Sequence, residues 1–187
     1  MDDARASLFM MLGQIASKSI KSHESTALSE TLEISATQDL AKILPNSVKQ
    51  AISASEIYKL FFVFENYLRD FVVEELTRDE TTNWWNKVPA DVQTEVFKLE
   101  AQEEVKGWMA LGSRDKSALL TLPQLLKIID ENWKGIFDEI VRDKALIQEG
   151  RMIVHLRNTI CHMSTITNEE QERVRQTMRD WFRVVSP

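Results

Sequence analysis

The stretch His155-Leu156-Arg157-Asn158-Thr159-Ile160-Cys161-His162-Met163 sets two imidazoles, a guanidinium and an amide among apolar residues. An imidazole can accept or donate a proton near neutral pH, so these residue types are able to perform acid/base chemistry. The same types also cap helix ends and fill ion pairs there. Arg151, His155, Asn158 and His162 stand at i, i+4, i+7 and i+11 and line one helix face, opposite a core stripe of Leu146, Ile153, Leu156, Ile160 and Met163. A polar row so placed ordinarily faces water. Arg157 instead falls at the edge of the core stripe, about 140° from His162 on an ideal helix, where a buried carboxylate could hold it. Cys161 beside His162 has the makings of a thiol nucleophile and its base, but helix neighbours diverge by about 100° and do not meet.

The elements that must carry these residues are helical. Only five Gly and four Pro interrupt 187 residues, and apolar positions recur near the helical period almost throughout. The reading is an all-α bundle, with residues 1–45 as a short helical N-terminal arm and linker and residues 46–187 as the domain. Within the arm, the Ser/Thr-rich stretch 21–38 is the linker, and a short helix after it must stop before Pro45. The first helix of the body is expected from Ser55 to Thr77, burying Ile57, Leu60, Phe61, Phe64, Leu68, Phe71 and Val72. Glu65 and Arg69 stand i, i+4 inside that apolar arc, between Leu68 and the pair Phe62 and Val73. A charge in an apolar arc needs partners, and Arg157 or Arg69 is expected within hydrogen-bond reach of Glu65.

Further along, NWWNKVP (83–89) breaks the period, and a helix is expected from Asp91 to Ala110. After the loop GSRDKS (112–117), Thr121 and Pro123 open a helix continuing through Leu122, Leu125, Leu126, Ile129, Trp133, Ile136 and Phe137 to Ile140. The helix bearing the opening stretch runs from Ala145 to His162. The turn MSTI (163–166) leaves His162 at a C-terminus, where the helix dipole favours a cationic imidazole. Thr167 and Glu170 form a capping box that starts the last helix, with Val174, Met178, Trp181 and Val185 as its buried stripe.

Composition removes several function classes. A net charge of −6 argues against coating a long polyanion through a broad basic surface. The charge is uneven: residues 141–187 carry eight Lys and Arg against six Asp and Glu, so a local anion site there is compatible with the balance. No apolar run approaches the roughly 20 residues of a membrane helix, and LFMML (8–12) lacks the flanks of a secretory signal, so a cytoplasmic location is expected. One cysteine excludes an internal disulfide, and three scattered histidines give no metal-ligand spacing. No cofactor and no metal are expected.

RNTICH (157–162) matches the R-[polar]-x-x-x-H signature of the HEPN superfamily, compact helical domains found in toxins, CRISPR effectors, phage-defence proteins and RNA-surveillance factors. The order FFVFENYLRDFVVEEL, a Trp-containing segment, LPQLLKIIDENWKGIF and LRNTICHMSTITNEE resembles the HEPN domain attached to a PIN-type RNA-surveillance endonuclease and its bacterial relatives. The resemblance covers roughly residues 50–185. It implies an RNase that needs no metal, in which the ribose 2'-hydroxyl attacks the adjacent phosphate and leaves a cyclic phosphate. By the same resemblance Arg157 binds the phosphate and stabilises the transition state, Asn158 orients, and His162 is the acid/base. Glu65, Arg69, Arg151 and His155 are supporting or structural. A guanidinium can meet two oxygens of a phosphorane at once, and imidazole can serve either oxygen that exchanges a proton.

The resemblance also implies a homodimer whose two motifs face one another across a cleft, an RNA substrate, and an antitoxin or effector partner in a toxin or phage-defence setting. The competing classes are a non-catalytic HEPN module that binds RNA, a nucleotide or a protein, and a regulatory oligomerisation domain. The five tryptophans could stack bases, although packing is their commoner use.

Overall fold

A computed structural model describes residue 14 and residues 32–35, 38–78, 81–105 and 115–185. Most of the 21–38 linker, residues 106–110 at the end of the second expected helix, and half of the GSRDKS loop lie outside the described residues. The chain divides into two compact units, residues 1–52 and residues 53–187.

In the first unit Glu33–Ser35 (β1) pairs antiparallel with Gln38–Asp39 (β2), so part of the expected linker is a small ribbon. One helical turn, Leu40–Ile43, follows, with the Asp39 carboxylate accepting the Ala41 amide N–H at 2.9 Å. Helix α1 then runs unbroken over Pro45–Thr77 rather than starting at Ser55. Proline ends the preceding turn because its ring crowds Leu44 out of the helical region (φ −132°, ψ 60°), and it opens the next helix because its own φ is already helical and its missing N–H would have no partner in a first turn.

The second unit holds the rest of α1 with α2 (Ala90–Val105), α3 (Leu122–Glu131), α4 (Ala145–Cys161) and α5 (Asn168–Val185). The architecture is all-α. Helix α4 packs against both α3 and α5, and α1 joins them through one core in which Phe64, Leu68, Leu126, Ile129, Ile153 and Trp181 lose all contact with solvent. Gly150 permits the close approach: a Cβ there would lie 2.9 Å from Leu126 Cδ2 and 3.3 Å from Trp181 Nε1. Phe64 meets the Trp181 ring edge-on at 6.1 Å, and Tyr67 donates its hydroxyl to the Val185 carbonyl at 2.8 Å, which fastens α5 to α1.

Two further expectations change. The helix opened at Thr121 ends at Glu131 instead of reaching Ile140. Trp133–Phe137 forms a π-type turn in which Lys134 is extended (ψ 117°) and Gly135 is left-handed (φ 91°), and the Asp138 amide reaches back to the Trp133 carbonyl at 2.8 Å. On α4 the buried stripe is Ile147, Gly150, Ile153, Leu156 and Ile160. Met163 is 93% exposed, because the helix has already ended and the chain has turned; Leu146 is only half-buried. Among the described residues no helix is long and apolar enough to cross a membrane.

Candidate functional site

Helix α4 begins where the Asp143 carboxylate accepts the Ala145 N–H at 2.8 Å. It ends in a Schellman arrangement: Met163 N–H bonds the Ile160 carbonyl at 3.0 Å and Ser164 N–H bonds the Thr159 carbonyl at 3.1 Å. That closure requires a left-handed residue directly after the cap, and Met163 supplies it at φ 61°. His162 is the cap residue. Its own amide bonds the Asn158 carbonyl at 2.9 Å, its imidazole is exposed, and among the described residues nothing hydrogen-bonds that ring.

Arg157 turns the other way. Its Nε donates to Glu65 Oε2 at 3.2 Å and its Nη2 to Glu65 Oε1 at 3.5 Å, while Nη1 reaches Asn158 Oδ1 at 3.4 Å. Glu65 is shared. Arg69 Nη2 also donates to Glu65 Oε1 at 3.5 Å and to the Leu120 carbonyl at 2.9 Å, and Arg69 Nη1 bonds Asn66 Oδ1. The three side chains are 13% (Glu65), 14% (Arg69) and 26% (Arg157) exposed. A carboxylate this far from water stays favourable only with such partners, and two guanidiniums on one carboxylate leave one positive charge unshared. The group floors a pocket of roughly 300 Å³ that Tyr58, Phe62 and Cys161 also line.

The structure therefore brings together Glu65, Arg69, Arg157 and Asn158, and leaves His162 outside that hydrogen-bonded group. Arg151 belongs elsewhere. Its Nη2 donates to Asp130 Oδ2 at 2.7 Å beside Lys144 Nζ on Oδ1 at 2.7 Å, tying α4 to α3. The hydrogen bonds from Lys144 and then Arg151 hold the Asp130 carboxyl below its ordinary range. His155 is exposed near the start of α5. There the Glu170 carboxyl is held low chiefly by the Thr167 amide and hydroxyl, with smaller help from Arg173 and His155. The capping box is present as the sequence implies: Thr167 N–H to Glu170 Oε2 at 2.7 Å, and Glu170 N–H to the Thr167 hydroxyl at 3.3 Å.

Sequence reasoning missed the Leu120 carbonyl and Asn66 as members of the group. Asn66 carried a signal, since it lies i, i+3 from Arg69; the carbonyl carried none, because only the path of the 115–120 segment brings it there. Among the described residues no three His, Cys, Asp or Glu side chains gather as a metal site.

The comparisons with known proteins bear on this group. A family model described as Swt1-like HEPN matches residues 59–186. The curated proteins give no match, and the solved structures give none either. The matched span takes in Glu65 and Arg69 on α1, all of α2 to α5, and the Arg157 to His162 segment, over more than half of the sequence; the chain belongs to the Swt1-like HEPN family.

Proposed function

We propose that the chain is a metal-independent HEPN endoribonuclease that works as a homodimer. The observation that carries this reading is the presence on one helix of a guanidinium fixed by Glu65 and, five positions later, an exposed imidazole on the cap residue. Arg157 meets the scissile phosphate with the edge that Glu65 does not occupy, Asn158 holds that edge in place, and His162 moves the proton. The ribose 2'-oxygen forms a bond to phosphorus as the bond from phosphorus to the 5'-oxygen breaks. The 2'-hydroxyl proton goes to a base, and the leaving 5'-oxygen receives one. A 2',3'-cyclic phosphate and a 5'-hydroxyl result. The resemblance to HEPN domains carried by PIN-type endonucleases supports RNA as the substrate. A toxin or phage-defence role in the cytoplasm, with an antitoxin or effector partner, fits the same kinship.

The test is cleavage of end-labelled RNA in EDTA by the purified protein and by His162→Ala. Loss of the proton transfer lowers the rate about 10²- to 10⁴-fold, and the product carries a cyclic phosphate. Cleavage undiminished in His162→Ala, or dependent on added divalent metal, overturns the reading. One observation favours a second reading, a non-catalytic HEPN module that binds RNA, a nucleotide or a protein: Glu65 already occupies two of the three guanidinium nitrogens of Arg157.

A further inference from the structure

We propose that Tyr58 and Phe62 form a stacking platform for one nucleobase of single-stranded RNA, directly beside the Arg157 guanidinium. The proposal rests on RNA being the ligand of this site. Helical periodicity puts Phe62 at the margin of the α1 apolar arc, yet in the fold its side chain is not covered: Phe62 is 59% and Tyr58 50% exposed. The two rings stand one turn apart, 6.4 Å between centroids and tilted by 37°. They line the same pocket as Glu65, Asn66, Arg69 and Arg157.

The charge of that pocket decides between occupants. Its lining holds two guanidiniums and one carboxylate, a balance of +1 in a chain of net −6. An apolar partner helix laid across the rings would bury the Arg157–Glu65–Arg69 group and strip water from its unshared charge. A nucleotide brings a flat ring for the aromatic faces and a phosphate for the guanidinium, so nothing charged is left unmet. Asn66 keeps the shelf in shape: its Nδ2 donates to the Phe62 carbonyl at 2.7 Å while its Oδ1 accepts from Arg69. The platform thus sits on a helix and is linked through Asn66 to the Arg69 guanidinium, which shares Glu65 with Arg157.

The test uses the His162→Ala protein, so that RNA survives, and the fluorescence anisotropy of a 12-nucleotide labelled single strand. Tyr58→Ala and Phe62→Ala each weaken binding about 5- to 150-fold, the range that loss of one base–aromatic stack produces. Phe62→Trp restores it, an oligomer of abasic residues binds the unsubstituted platform no better than intact RNA binds Phe62→Ala, and inorganic polyphosphate binds all variants alike. Both rings are exposed, so melting temperatures stay near that of the parent. Unchanged RNA affinity in both alanine variants overturns the platform. So does conversion of a dimer to a monomer with affinity per chain retained, which assigns the rings to a subunit contact. Binding without cleavage in the unsubstituted protein leaves the platform standing and removes the ribonuclease reading; cleavage with unaltered KM when Tyr58→Ala and Phe62→Ala are made with His162 intact does the reverse.

Discussion

At the scale of single residues, Arg157 combines an observed pairing with Glu65 and a proposed contact with phosphate, and one substitution cannot separate the two. Arg157→Ala removes the cation proposed for phosphate and also leaves the Glu65 carboxylate, 13% exposed, with only the 3.5 Å contact to Arg69 among the described residues. Partial exposure moderates the loss, which should be about 1–3 kcal/mol and visible as a lower melting temperature alongside lower activity. The pairing was legible in the sequence because a charge inside an apolar arc has to be met, and the two helical periods place Glu65 and Arg157 on facing edges. Two other carboxyls predict opposite pH behaviour. Burial pushes the Glu75 carboxyl up, against the pull of Arg78 and with a further push from Glu74. Its folded pKa lies above its unfolded one, so it penalises the fold progressively as pH rises through and beyond the ordinary carboxylate range. Glu75→Gln should raise the melting temperature at pH 7, and the gain should vanish in acid, where both forms are neutral. Asp130 is held low by Lys144 and Arg151, so its contribution is present at neutral pH and lost as pH falls through that range. Asp130→Asn should therefore destabilise at pH 7 and leave acid stability nearly unchanged; melting curves across pH check both signs.

At the scale of elements, the ends of helices were less legible than their faces. Thr167 and Glu170 announce α5 because a capping box is local chemistry, and Val174, Met178, Trp181 and Val185 form its stripe as the period requires. Gly135 hides the break after α3, since one glycine inside a run of well-spaced apolar residues reads as continuous helix until its φ of 91° is seen. The turn at 163–166 after α4 is legible, and Met163 hides only its own place in it: an apolar side chain at helical spacing reads as core stripe, at a position whose geometry favours glycine. The two sites give a paired prediction. Gly135→Ala meets nothing within 4 Å, so its cost of about 1 kcal/mol is purely conformational. Met163→Gly loses almost no packing at 93% exposure and should gain roughly 0.5–1 kcal/mol. Chemical denaturation should show midpoints moving in opposite directions at unchanged slope; a loss in Met163→Gly would mean that the side chain has a partner in the assembled protein.

At the scale of the whole molecule, the separation of Arg157 from His162 becomes a statement about assembly. One chain turns its guanidinium to Glu65 and presents its imidazole to solvent at the helix end, so the two groups diverge. If catalysis needs both at one phosphate, the second copy of the segment has to come from another chain across a two-fold axis, which is the isologous contact the proposed homodimer contains. Light scattering at micromolar concentration should give a dimer. The sharper test mixes two inactive proteins. His162→Ala keeps an intact Arg157, and Arg157→Ala keeps an intact His162; random re-pairing through the isologous contact makes about half the dimers mixed. Each mixed dimer then holds one working guanidinium and one working imidazole on opposite chains. Cleavage should rise well above that of either protein alone, with mass spectrometry verifying exchange. Arg157→Lys replaces the alanine variant where melting shows that protein to be unfolded, because a lysine still offers Glu65 a cation without the two-pronged geometry. Activity that stays at the average of the separate proteins after complete exchange would place both groups in one chain, and the imidazole would then have to swing toward Arg157 when RNA binds.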